Sequence, residues 1–474
     1  MRTRQEGSAQ VLRRYQDVPG RIAETLRSVA RRAQLDRAVS FALVGRAWQM
    51  VAGPITLLLI ARWFSPEVQG FYYTFGSLLA LQSFLELGLY LVIINVASHE
   101  WARLGVDATG HIVGDREALS RLASLARLVF RWYAVVGGAF VLIIGAVGYL
   151  FFSQTPHPNI RWEAPWLTLV GVTGLLLWTL PFISLLEGCN QIAAVNEFRL
   201  RQGILGTIAL WLSLYLGGGL WAPVVMAAAR LLCDLHLLLG RYRRFLAPLL
   251  QRPVSVGMDW KIEVWPMQWR LALSGLVNYF AYSLFNPVMF HYHGAAVAGR
   301  MGMTLQIVGA LQSLAMAWVS ARVPSFGVLI ARTDYAGLDR LWRRTLLISG
   351  LAIAAGAGVI WGLVYGMNVL EIPLAQRLLG PVPTGVLLLS AVLMQVAQCY
   401  TAYMRAHKRE PILLLSVTTS IAIGMLVWLL GARFGPIGAA AGYLAVMVVL
   451  LAWETAIWFQ FRADVRAPAA ETAA

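Results

Sequence analysis

The chain has 474 residues, 58% of them hydrophobic and only 13% charged, with a mean hydropathy of +0.64. An ordinary soluble domain carries about 25% charged residues, so soluble globular and disordered classes are excluded and a polytopic membrane protein remains. The 39 Lys and Arg against 23 Asp and Glu give a net charge of +16. These basic residues sit between apolar stretches, so anionic phospholipids are the expected partner rather than nucleic acid.

In chain order, residues 1–38 form a basic tail with nine arginines and no continuous apolar core, so no cleavable signal peptide is expected. Within it, Ile22, Leu26, Val29 and Ala33 fall at helical spacing and predict an interfacial amphipathic helix over 22–35. A membrane helix needs about 20 apolar residues. Windows of that kind lie near 39–61, 70–97, 131–152, 166–186, 203–218, 221–240, 268–290, 297–320, 342–365, 384–404, 411–430 and 436–461. Between the second and third, Leu119, Leu122, Leu125 and Val129 predict a second helix lying on the inner leaflet, within 101–130.

Charge placement orients these twelve spans. Thirty-two of the 39 basic residues fall on alternate, inside-type segments. The outside-type connections hold only Arg62, Arg161, Arg300, Arg377 and Arg433. By the positive-inside rule both termini are cytoplasmic. The outside connections are short, which leaves no room for a periplasmic catalytic domain.

A shift of 230 residues overlays the two halves without gaps. Phe41-Ala42-Leu43 falls on Leu271-Ala272-Leu273, Thr74 on Thr304, and Ala80-Leu81-Gln82-Ser83 on the identical Ala310-Leu311-Gln312-Ser313. Copies six spans apart enter the membrane from the same side, so they form parallel repeats about an axis along the membrane normal. The expected fold is an all-α polytopic membrane protein, with about 12 helices in two parallel six-helix bundles around a central cavity. The tail 1–38 precedes a first bundle at 39–240. A basic linker at 241–267 leads to a second bundle at 268–461 and a cytoplasmic tail at 462–474.

A charge inside the bilayer costs from about 2.5 kcal/mol upward, so each is a candidate for function. Arg230 lies mid-way along the sixth span with Asp234 one turn on. They fit either a packing ion pair or an anion-binding arginine tuned by the acid. Arg46 and Glu86 lie at comparable depth in the first two spans, and fit either a bridge or a substrate contact. Gln49 is one turn from Arg46. Asn278, Tyr279, Tyr282 and Asn286 form a polar stripe on the seventh span. Gln82 and Gln312 are repeat equivalents, and Gln395, Gln398 and Tyr403 mark the tenth span. Such groups hydrogen-bond between helices or line a wet cavity. Arg46, Arg230, Gln49, Asn278, Tyr282 and Gln312 are the candidate substrate contacts; Glu86 and Asp234 are the candidate ion-coupling groups. Cys189, Cys233 and Cys399 have no paired spacing, and His291 and His293 point apart on a helix, so no metal or cofactor is expected. Without a phosphate-binding Gly-x-x-x-x-Gly-Lys loop, ATP is not the direct energy source. No enzyme constellation emerges.

The first two spans carry a more specific pattern. Val44-Gly45-Arg46 is followed by Leu57-Leu58-Leu59-Ile60-Ala61-Arg62-Trp63, then Ser65-Pro66-Glu67-Val68-Gln69-Gly70-Phe71-Tyr72, and closes at Leu85-Glu86-Leu87-Gly88-Leu89. This resembles the opening of the Wzx-type polysaccharide flippases of the multidrug/oligosaccharidyl-lipid/polysaccharide exporter superfamily, and Gly435-Pro436-Ile437-Gly438 is similar to that family's last connection. The resemblance implies secondary transport of undecaprenyl-pyrophosphate-linked oligosaccharide across a bacterial inner membrane for exopolysaccharide, capsule or lipopolysaccharide O-antigen assembly, alongside other polysaccharide-assembly membrane proteins. It also implies a cavity arginine at the Arg46 position. The alternatives are a multidrug exporter of the same superfamily, which typically places an acid in the first helix, or a polysaccharide ligase or polymerase, or a scaffold.

Overall fold

The computed structural model describes residues 18–471 apart from 83–85, 87, 108, 155–157, 251–256, 266–267, 270–282 and 408–412. The described residues are almost wholly helical, and among them eight helices are long and apolar enough to cross a membrane. Helix α1 runs Val18–Trp63, α2 Pro66–Leu79 and α3 Leu89–Trp101. A small antiparallel hairpin follows, β1 Leu104–Val106 with β2 Ile112–Gly114. Then come α4 Arg116–Ser153, α5 Glu163–Gly188, α6 Ile192–Tyr215 and α7 Trp221–Leu235, the last continued by a π-turn His236–Arg241. The second half holds α8 Phe285–His293, α9 Ala295–Ser320, α10 Val323–Ala331, α11 Tyr335–Val369, α12 Pro381–Ala406 and α13 Leu413–Glu471.

Four departures from the expected spans have physical causes. The window 70–97 is not one helix: α2 ends at Leu79, α3 begins at Leu89, and Gly88 ahead of α3 takes a left-handed φ of 66°. The amphipathic segment 116–130 is no separate helix on the leaflet. It is the first part of α4, and its apolar face (Leu122, Leu125, Ala126, Val129) is buried against Leu186, Phe198 and Leu238 of neighbouring helices. Likewise 22–35 continues without a break into the first span. The last two windows run on as α13, bent where Gly435 leaves helical geometry at φ 66°, ψ −149°.

Helix starts follow the local sequence. Ser65 caps α2 ahead of Pro66, with Glu67 in the first turn; Asp115 caps α4 through the Glu117 N–H at 3.0 Å; Asp334 caps α11 through Gly337 at 2.8 Å. The 230-residue shift holds to the ends of α3 and α10, at Trp101 and Ala331. Beyond the hairpin, which has no counterpart in the second half, it falls to 219: the separation of the caps Asp115 and Asp334.

The halves meet where α2 crosses α9. A Cβ on Gly70 would collide with the Ala295 carbonyl, and one on Gly299 would lie 2.9 Å from both the Gly70 nitrogen and the Pro66 carbonyl. Only glycine permits this approach, the small-residue packing that membrane helices use. Gln69 Nε2 donates to Gly299 O at 2.8 Å and to Arg377 O at 3.1 Å, while Thr304 Oγ1 accepts from Leu379 N–H at 3.0 Å. Asn286 Nδ2 donates to Ser77 Oγ at 2.9 Å. Around this crossing Phe71, Phe75, Phe152, Trp162, Trp166 and Phe290 pack edge-on and tilted, all buried. In the short turn before α12, burial lowers the Arg377 guanidinium from its ordinary value. The Gly70, Gln69 and Gly299 contacts lie toward the ends of α2 and α9 that carry Ser65 and Gly294, the predicted outer ends, whereas the Asn286–Ser77 bond lies near the other end of α2. Each half also keeps its own core: Leu89, Val129, Tyr133 and Leu186 in the first, Trp342, Tyr403 and Trp458 in the second.

Candidate functional site

Beside the aromatic cluster lies a cavity of about 700 Å³. The first half supplies nearly all of its wall, from α2, α5, α6 and α7, and Gln306 of α9 faces it from the second half. The wall is mixed. Leu79, Leu169, Leu176 and Met226 are apolar; Tyr72, Tyr73, Gln82, Gln202 and Gln306 offer hydroxyls and amides; Arg199, Arg230, Glu86 and Asp234 carry charge.

The sequence left two readings of Arg230 and Asp234, and the geometry separates them. Asp234 is only 2% exposed and its two oxygens are already engaged. Thr179 Oγ1 donates to Oδ2 at 2.7 Å and Gln202 Nε2 donates to Oδ1 at 3.0 Å. Arg230 forms no ion pair with it; its stem runs beside Gly206, where an added Cβ would lie 3.3 Å from Arg230 Cγ. The guanidinium faces the cavity near Tyr72. Arg199, by contrast, is held: it pairs with Glu187 at 2.6 Å, and both bond the Tyr90 hydroxyl. Among the described residues Arg230 is therefore the cavity arginine with no carboxylate on it. Nearby, Glu86 lines the wall with neither hydrogen bond nor ion pair among the described residues.

The other sequence candidates lie elsewhere. Arg46 and Gln49 are exposed on α1, outside the cavity wall, and no ion pair joins Arg46 to Glu86. Gln312 is buried on α9 away from the cavity, its Nε2 without a partner among the described residues. Asn278 and Tyr282 lie outside the described residues, while Asn286 of the same stripe serves the α2 crossing. His293 Nε2 meets Gly431 O at 2.7 Å, and no metal-ligand cluster occurs among the described residues. The candidates missed by the sequence reading are Tyr72, Tyr73, Gln202 and Gln306. Tyr72-Tyr73 and Gln306 were visible as polar groups in apolar spans; Arg199 and Gln202 sat in a stretch that read as a loop.

No protein-family model matches the chain, and no curated protein does. Solved structures do. An inward-facing multidrug resistance MATE family transporter of the MOP superfamily is similar over 89% of this chain and 99% of its own, with a TM-score of 0.60 and 14% identity. The lipid II flippase MurJ, in an inward closed conformation, is similar over 89% of this chain and 87% of its own, with a TM-score of 0.64 and 12% identity. A MOP superfamily transporter from Pyrococcus furiosus, whose reversed binding-pocket polarity suggests a different function, covers 90% of this chain and 96% of its own at a TM-score of 0.50 and 13% identity. At these identities the likeness is one of fold: two parallel bundles of membrane helices about a cavity.

Proposed function

We propose that this chain is a secondary transporter that moves an undecaprenyl-pyrophosphate-linked oligosaccharide across a bacterial inner membrane by alternating access. The observation that carries this reading is Arg230, facing a large cavity without a carboxylate partner, which suits the diphosphate of such a lipid. The amides and tyrosines around it suit sugar hydroxyls, and the lipid tail stays in the bilayer. The likeness to a lipid II flippase supports a lipid-linked cargo. With the termini taken as cytoplasmic, the α2–α9 crossing closes the outer side and the cavity opens inward. Transport then requires the two bundles to rock apart at that crossing. Glu86 and Asp234 are the coupling candidates.

A multidrug exporter is the second reading, favoured by Glu86: a cavity carboxylate without a partner among the described residues would attract a cationic drug. The absence of an acid on the first span opposes it. The deciding experiment is a deletion strain scored for lipid-linked oligosaccharide and surface polysaccharide, complemented with wild type and Arg230→Ala. Intermediates trapped inside and not released by Arg230→Ala support the flippase. Normal polysaccharide with raised sensitivity to cationic drugs overturns it in favour of the exporter.

A further inference from the structure

The internal repeat extends from backbone to chemistry. In the first half, Thr179 of α5 donates its hydroxyl to Asp234 of α7 at 2.7 Å. In the second half, Thr401 of α12 donates its hydroxyl to Glu454 of α13 at 2.6 Å. These are the fourth and sixth predicted spans of each half. The threonines are 222 residues apart and the acids 220, close to the 219 that separates the helix caps Asp115 and Asp334. Both acids are buried, Asp234 at 2% and Glu454 at 3% exposure, and the described ion pairs include neither.

We propose that Glu454, held by Thr401, is a proton-binding site of the second half, the repeat counterpart of the Asp234–Thr179 pair. A carboxyl group in this setting is expensive to keep charged, since one hydroxyl replaces a full hydration shell. A proton resolves the charge without a counter-ion. Among the described residues the facing groups are Arg405, one turn beyond Thr401 on α12, which acts on Glu454 electrostatically, and the Cys399 thiol on the same helix. Neither bonds the carboxylate, so among the described residues protonation displaces no salt bridge. The proton goes onto a Glu454 oxygen from the inner aqueous side, since Thr401 lies little more than one turn from the end of α12 at Ala406. In the transporter reading, one acid per bundle gives each half its own charge state as the bundles rock; this use rests on that reading, whereas proton binding does not.

The test needs no substrate. The full-length protein is reconstituted in lipid nanodiscs, and pH-difference infrared spectra are recorded for the protonated carboxyl band. Glu454→Gln is expected to remove one titrating band that Asp234→Asn leaves in place. Thr401→Val, which keeps the shape and removes the hydroxyl, is expected to raise that band's frequency, because a hydrogen bond to the carboxyl oxygen is gone. Spectra of Thr401→Val and Glu454→Gln that coincide with wild type overturn the proposal and make Glu454 a fixed structural group. If complementation rejects the flippase while the band titrates, the site stands and only the cargo is wrong. A missing band with normal flipping removes the site alone.

Discussion

The side-chain amide of Gln69 bonds the carbonyl of Gly299, and the two residues are 230 positions apart, the same shift that overlays the two halves of the sequence. Repeat equivalents that touch must lie on or beside the axis relating them. The tightest contact between the bundles therefore sits on the pseudo-twofold axis, at one end of the cavity.

Replacing Gln69 with leucine removes the donor from two carbonyls, Gly299 O and Arg377 O, in a site that is 1% exposed. Buried acceptors left without a partner cost about 1–3 kcal/mol each. The expected outcome is a weakened crossing. A cysteine introduced at Thr74, which is fully buried, should react with an aqueous maleimide faster in the Gln69→Leu background than alone. Equal rates would detach Gln69 from closure.

Glycine substitutions should separate by position. Gly70→Ala drives a methyl into the Ala295 carbonyl, whereas Gly45 has nothing within 4 Å of an added Cβ. Overpacking typically costs about 1–3 kcal/mol. Thermal unfolding in detergent should show Gly70→Ala clearly below wild type and Gly45→Ala at or above it. A similar melting point for both would mean that α2 and α9 do not approach this closely.

Arg230→Ala should lower retention of a lipid diphosphate by about tenfold to a hundredfold, since hydrogen bonds to charged groups contribute about 1.5–3 kcal/mol. Native mass spectrometry with a short-chain polyprenyl diphosphate measures this directly. Arg46→Ala, on the exposed surface of α1, should change it much less. The reverse order would move the anion site to the first helix.

The Asp234 shell offers a stability test. Thr179→Val with Gln202→Leu strips both donors from a buried carboxylate. Loss of its partners should destabilise the protein by several kcal/mol, and Asp234→Asn in the same background should recover part of it. A double variant as stable as wild type would show that Asp234 draws its solvation from elsewhere.

The membrane class, helical fold and parallel repeat were legible in the sequence because burial in lipid imposes long apolar windows and the repeat left an identical four-residue run. The end of α2 at Leu79 was not, since Leu78-Leu79 and Leu81 carry apolar character straight past it and only Gly88, just before α3, marks a turn. The face of α4 at 116–130 misled because an amphipathic pattern reports an apolar neighbour without saying whether it is lipid or protein. Depth along the spans found Arg230, Asp234 and Glu86. Which way each points depends on helix rotation, and that is set by contacts distant in sequence, such as Gln202 reaching Asp234 and Gly206 making room for Arg230.

The hairpin between α3 and α4 sets the register between the two halves. From Leu104 to Gly114 it occupies eleven residues, the amount by which the spacing between equivalent positions shrinks on passing it. An eleven-residue difference between the copies at this one place accounts for the step from 230 to 219. Excising those eleven residues would give Trp101 and Ala331 the same spacing, 219, that already separates Asp115 and Asp334, so one shift would relate the halves on both sides of the hairpin.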